Sequence, residues 1–335
     1  MRAMILKKQQ AIEKNPLDLQ EVPIPSPGLD EVLIQVDACG VCHTDLHEIE
    51  GDLDLPEFPL IPGHQIVGTI ADLGENVSDW SLGTRVGVPW LYSTCQECEY
   101  CERGLENLCE DAKFTGKDVD GGYAEYMVAH ADFIYPIPEG FPDMQAAPLL
   151  CAGIIGYRAL RLTGIKKGQN LGLYGFGASA HVTIQVANHW GCNVYVFTRS
   201  ENHQRHAREL GAVWTGESTD DPGSKMKASI IFAPAGEIVI DALQVLDKAG
   251  IVMCAGIHMS NIPEFEYQLI YGERAIKTVA NSTRQDAREL LQLAAEIPIR
   301  TDIEAYSLEN ANKVLNLIKE SRIRGAAVLK INTDE

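Results

Sequence analysis

Asn170-Leu-Gly-Leu-Tyr-Gly175-Phe-Gly177-Ala178-Ser-Ala180-His181 passes from a short apolar run through a glycine turn into residues of helical character. The run Asn170–Tyr174 suits a strand buried on both faces of a parallel sheet. The pattern G-x-G-x-x-A then stands where a dinucleotide-binding fingerprint belongs. Gly175 permits a tight turn, Gly177 lets backbone approach a pyrophosphate, and Ala180 is small enough for helix–strand packing. A helix opening there directs its free N–H groups at phosphate oxygens. Alone the pattern is weak; its weight comes from what surrounds it.

Between about 152 and 281 the chain alternates strand and helix. Val194–Phe197, Ser229–Phe232, Gly250–Cys254 and Lys277–Ala280 read as further strands, with helices at 178–190 and 202–210. This rhythm points to a doubly wound parallel sheet. The first 150 residues are instead rich in short β-branched stretches, Val32–Val36, Ile66–Ile70 and Ala124–Val128, broken by Pro and Gly. Helices at 284–296 and 307–320 and a strand at 326–331 complete the expected elements.

At the end of the second strand of such a fold, about twenty residues past the glycines, NAD enzymes usually carry an acid for the ribose 2′-hydroxyl. Here the segment is Thr198-Arg199-Ser200, and the first acid is Glu201. An Arg between two hydroxyls suits a 2′-phosphate, which favours NADP(H) with NAD(H) as the alternative.

A second dense signal is Cys95, Cys98, Cys101 and Cys109, spaced C-x2-C-x2-C-x7-C. Four thiols within fifteen residues can converge on one tetrahedral Zn²⁺, closed to substrate and therefore structural. The nine cysteines are odd in number and the other five are scattered, which fits poorly with a disulfide framework. Cys39, Cys192 and Cys254 are expected to be core thiols. The opening Met1-Arg-Ala-Met-Ile-Leu-Lys-Lys8 lacks the features of a signal peptide, so a cytoplasmic location is expected. A net charge of −19 argues against nucleic acid, and no apolar run is long enough to span a bilayer.

Further residues carry a resemblance. Gly40-Val-Cys42-His43-Thr44-Asp45-Leu46-His47, then Gly63-His64-Gln65 with Gly68, Gly74 and Val77, then the four-cysteine lobe and the Gly175–His181 loop occur in the order found in zinc-dependent alcohol dehydrogenases of the medium-chain dehydrogenase/reductase family. The chain resembles that family over nearly its whole length. The resemblance implies an α/β protein: a GroES-like β-rich catalytic domain over 1–152 and 282–335, plus a Rossmann doubly wound parallel sheet over 153–281.

It also implies a catalytic zinc on Cys42, His64 and Cys151, beside the structural zinc on Cys95, Cys98, Cys101 and Cys109, two ions per chain. Three protein ligands leave one position at which an alcohol oxygen is polarised while hydride passes to a nicotinamide. Thr44 and His47 resemble the proton relay, Asp45 orients His64, and His43 stands where relatives contact the cofactor pyrophosphate. Gly175, Gly177, Ala178, Ala180, Thr198, Arg199 and Ser200 fall on the cofactor-binding positions. Relatives form homodimers or homotetramers.

Three departures stand out. Gln65 replaces the Glu that usually follows the zinc histidine. Ala326 replaces an Arg near the cofactor phosphates, with Arg324 nearby. Trp90 matches a pocket tryptophan of yeast-type members, but Leu53 replaces a second one, which implies room for alcohols longer or bulkier than ethanol. The implied activity is interconversion of primary, and also secondary, alcohols with aldehydes or ketones. The alternatives are an aromatic-alcohol or polyol dehydrogenase on the same scaffold, and a non-catalytic zinc-stabilised binding protein.

Overall fold

The computed structural model describes residues 1–297 and 299–332, so residues 298 and 333–335 of the expected catalytic segment 282–335 lie outside the described residues. The chain divides into two compact units: Ala152–Ala280, and Met1–Cys151 together with the chain from Asn281 onward.

Ala152–Ala280 carries six strands in the order Trp214–Gly216, Asn193–Phe197, Asn170–Tyr174, Met226–Ile231, Leu246–Cys254, Ala275–Thr278. All five pairings are parallel. Numbered along the chain this is the order 3-2-1-4-5-6, which reverses between Asn170–Tyr174 and Met226–Ile231. A ligand crevice is expected outside the carboxyl ends of those two strands. Leu171, Leu173, Val194, Val196, Ile230 and Ile231 are all buried, as strands covered on both faces require. Tyr174 stacks on Phe197 with ring centroids 4.2 Å apart, and Trp214 closes on Phe197 at 4.9 Å. The last strand begins two residues before the expected 277. Pairing from Ile251↔Ala275 to Cys254↔Thr278 sets its register, and local composition carries no trace of that partner.

The other unit is organised on one long strand, Glu31–Val41. Along one edge lies Gln65–Leu73. Along the other, its first half pairs with Tyr126–His130 and its second half with Ala326–Lys330. The strand expected at 124–128 therefore runs 126–130. Ala124 bridges Ala3, and Glu125 divides its backbone, donating its N–H to Arg2 and accepting from Val36 of the long strand, so the regular ladder starts only after it. Met4, Leu6, Ile34, Ile66, Ile70, Tyr123 and Met127 form the buried centre. Cys39, Cys192 and Cys254 are buried free thiols. No helix among the described residues is long and apolar enough to cross a membrane.

Candidate active site

Cys42 ends the long strand's reach and starts the helix His43–Glu50. It is the helix N-cap: its extended backbone lets Sγ accept the Thr44 N–H at 3.3 Å, while Asp45 Oδ2 accepts the Cys42 N–H at 2.8 Å. A sulfur at a helix N-terminus is favoured as thiolate by the N–H groups and the helix dipole. His64 enters from the loop before Gln65–Leu73. Gly63 precedes it with φ +100°, and a Cβ there would meet the Tyr123 ring at 2.4 Å, so only glycine fits. Cys151 follows the buried turn Ala147–Leu150.

From these three separate stretches, ligand atoms of Cys42, His64 and Cys151 lie within 4.8 Å of one another, and Cys42 Sγ is 3.4 Å from His64 Nε2. A tetrahedral zinc with its usual N and S bond lengths places N and S ligands about 3.6 Å apart, so the pair fits the ion. As thiols, Cys42 is pushed well up, first by the hydrogen-bonded Cys151 and then by burial. A divalent cation reverses that preference, because a coordinating thiol is deprotonated outright. His64 Nδ1 lies 3.0 Å from Asp45 Oδ1, although neither atom makes a well-aligned hydrogen bond. Burial alone would lower the His64 pKa; the Asp45 carboxylate and Cys42 outweigh it and raise it.

Thr44 is buried on the first turn of the same helix, and His43 is exposed. His47 donates or accepts through Nδ1 at 2.7 Å from Asp52 Oδ2. A carboxylate partner fixes the tautomer with the proton on Nδ1, which leaves Nε2 as an acceptor. Two residues near the site escaped sequence reading: Asp52, and Glu48, which is 1% exposed and has one oxygen within 4.8 Å of Asp45 and His64 ligand atoms. The only trace of Glu48 in the sequence is its i+3 spacing from Asp45. Trp90 donates its indole N–H to Glu48 Oε1 at 3.0 Å and stacks on Phe114, centroids 4.3 Å apart. Leu53 is half-buried, with its carbonyl held by Gln9. Gln65 is buried, Ala326 starts the strand beside Val41, and Arg324 is tied to Glu304 and Asp302.

The four remaining ligand-type thiols also converge. Sγ–Sγ separations are 3.5 Å for Cys98–Cys101, 3.5 Å for Cys95–Cys109 and 3.9 Å for Cys95–Cys101. Tetrahedral Zn–S bonds of ~2.3 Å demand about 3.8 Å between sulfurs, far beyond a disulfide's ~2.05 Å. Backbone N–H groups of Glu97 and Cys98 draw the Cys95 thiol down to about 7, whereas burial pushes Cys109 up to about 12. The lobe is anchored by Glu106, whose carboxylate accepts from the Arg284 N–H at 2.8 Å and from its guanidinium at 3.1 and 3.3 Å. Arg284 opens the helix Arg284–Glu296 and lies 4.8 Å over the Phe133 ring.

In the parallel-sheet unit, Gly175 turns with φ +86° and a Cβ on Gly177 would meet nothing within 4 Å. That open space lies at the start of the helix Ala178–His189, which has no side-chain cap on its first N–H groups. Such a cradle fits a pyrophosphate. Ala180 is fully buried. Arg199 is exposed and pairs with no carboxylate among the described residues, whereas Ser200 caps the next helix through His203 N–H at 3.4 Å.

Residues 28–139 match the family model described as the alcohol dehydrogenase GroES-like domain, and 180–296 match that of the zinc-binding dehydrogenases. The chain is similar to a probable alcohol dehydrogenase of Mycobacterium tuberculosis, 43% identical over 99% of this chain and 97% of the relative. An alcohol dehydrogenase of Geobacillus stearothermophilus is 38% identical over 95% and 97%. Among solved structures, a cinnamyl alcohol dehydrogenase of Sorghum bicolor superposes with a TM-score of 0.90 at 26% identity, covering 100% of this chain and 99% of that one.

Proposed function

The chain belongs to the zinc-dependent alcohol dehydrogenases of the medium-chain dehydrogenase/reductase family, and on that premise we propose how its residues divide the work. The protein is an oxidoreductase that interconverts alcohols with aldehydes or ketones by hydride transfer to or from a nicotinamide cofactor. Cys42, His64 and Cys151 hold the catalytic zinc, and Cys95, Cys98, Cys101 and Cys109 hold a second, structural ion. An ion held by Cys42, His64 and Cys151 would supply Lewis acidity toward the substrate oxygen. The observation that carries this reading is the convergence of three ligand side chains from three distant stretches.

Asp45 orients the His64 ring and, through the Cys42 N–H, also fixes the helix turn that presents the sulfur. The Thr44 hydroxyl takes the alcohol proton, and His47 passes it onward through Nε2 while Asp52 holds Nδ1. In the cofactor segment, 153–281, the Gly175–Ala180 loop takes the pyrophosphate. Arg199, with no carboxylate partner among the described residues, takes a 2′-phosphate and makes NADP(H) the preferred cofactor. The catalytic segments are 1–152 and 282–335.

The substrates are alcohols longer or bulkier than ethanol, aromatic allylic alcohols included. Leu53 in place of a large aromatic supports this, as does likeness to a protein named as a cinnamyl alcohol dehydrogenase. Thiolate ligands need a reducing compartment, which the cytoplasm supplies. Ala275–Thr278 is an open edge of its sheet and suits pairing with a second copy in a homodimer or homotetramer. The test is absorbance at 340 nm across a series of alcohols with each nicotinamide, alongside metal analysis. NADP-linked oxidation of bulky primary alcohols with two zinc ions per chain is expected. Absence of turnover with every alcohol in zinc-loaded protein would overturn the reading.

A further inference from the structure

Glu48 is 1% exposed, yet its side chain is a carboxylate. Oε1 accepts the Trp90 indole N–H at 3.0 Å, and Oε2 is buried with no hydrogen-bond partner among the described residues. One of its oxygens lies within 4.8 Å of ligand atoms of both His64 and Asp45. A charged carboxylate taken out of water with one donor is strongly disfavoured unless a cation compensates it. A protonated one would need an acceptor for its O–H, and Oε2 has none. Lys117 is close enough to act on Glu48 through its charge, but its direct partner is Asp118 at 3.0 Å. Gln65, next to His64 in sequence, brings no charge to the site.

We propose that Glu48 is a positioning residue that joins the pocket wall to the metal centre. Its carboxylate adds negative charge beside the His64 ligand, stabilising the cation there, and the same group holds the Trp90 ring in place. Trp90 stacks on Phe114 and lies 6.1 Å from the His64 ring, centroid to centroid. One side chain thereby serves both the pocket wall and metal retention. This inference rests on the assignment of Cys42, His64 and Cys151 as ligands.

The experiment follows zinc release from the holoenzyme into a metallochromic chelator, with the cobalt-substituted absorption spectrum as a second readout. Glu48→Gln keeps an oxygen for the Trp90 N–H but removes the charge. Removing a negative charge within 4.8 Å of a ligand atom should accelerate release of the catalytic zinc severalfold, short of the roughly 10–100-fold typical of a group hydrogen-bonded to a ligand. Glu48→Asp, which keeps the charge, should restore most of the retention. Trp90→Phe should leave release near the wild-type rate while raising KM for bulky alcohols more than it lowers kcat.

Wild-type release in Glu48→Gln would overturn the proposal, as would equal acceleration in Trp90→Phe. Retention of the four-sulfur ion shows in each variant that the fold persists. Cys42→Ser separates the two levels. If it keeps both ions, the ligand assignment itself fails; if it loses one while Glu48→Gln behaves as wild type, only the role of Glu48 fails.

Discussion

Asp45 touches two of the proposed ligands at once: Oδ1 lies 3.0 Å from His64 Nδ1, and Oδ2 accepts the Cys42 N–H at 2.8 Å. Both Asp45 and His64 have fully buried side chains. On the proposed assignment, one carboxylate would position both the ring of one ligand and the backbone of the other. Asp45→Asn keeps the shape and removes the charge that makes His64 a stronger donor to metal. Zinc affinity at the three-ligand site should fall by roughly 10–100-fold, as read by chelator competition. Unchanged affinity would mean the 3.0 Å approach has no energetic content.

The relay makes a separate prediction. His47 Nδ1 lies 2.7 Å from Asp52 Oδ2, and in the proposed relay its Nε2 would carry the proton. His47→Asn should slow alcohol oxidation by at least about tenfold near neutral pH, within the usual range for a positioned acid–base group, with little effect on metal content. Added imidazole, or a rise in pH that lets hydroxide take the proton, should recover part of the rate. A variant with a wild-type pH profile would remove His47 from the proton path.

The proposed preference for NADP(H) turns on one exposed guanidinium. Arg199 has no carboxylate among the described residues to neutralise it. Arg199→Asp should move the ratio of kcat/KM for NADP(H) over NAD(H) toward NAD(H) by about tenfold or more, since charge-assisted hydrogen bonds contribute roughly 1.5–3 kcal/mol. Steady-state kinetics with both cofactors decides it, and an unmoved ratio would mean Arg199 never meets the cofactor.

The cysteine lobe is held to the helix Arg284–Glu296 by Glu106, which takes three hydrogen bonds from Arg284. Glu106→Gln removes the charge from a largely buried pair whose side chains are 9% and 23% exposed. A loss of about 2 kcal/mol in unfolding free energy is expected from chemical denaturation, with both ions still bound beforehand. No measurable loss would assign the anchoring of the lobe to its sulfurs alone.

The parallel-sheet unit was largely legible before any coordinates. Asn170–Tyr174 and Val194–Phe197 are apolar on both faces, and only a sheet covered on both sides needs that pattern. The four-cysteine cluster was legible from ligand type and spacing alone, whereas Cys42, His64 and Cys151, far apart in sequence, were legible only through the family resemblance. What escaped reading depends on partners distant in sequence. The strand Ala275–Thr278 takes its register from Ile251–Cys254, and Tyr126–His130 starts late because Arg2 and Ala3 occupy its neighbours. Glu48 was hidden for a related reason. In a stretch reading His47-Glu-Ile-Glu50, an acid looks like a solvated helix face, and only the fold reveals that it points inward to Trp90.

Metal stoichiometry, measured by mass spectrometry on wild-type and Cys42→Ser protein beside alcohol-dependent reduction of NADP, tests the catalytic centre most directly. Two zinc ions and turnover in the wild type, with one ion and no turnover in the folded variant, is the predicted result. A Cys42→Ser protein that keeps both ions and its full rate would contradict it.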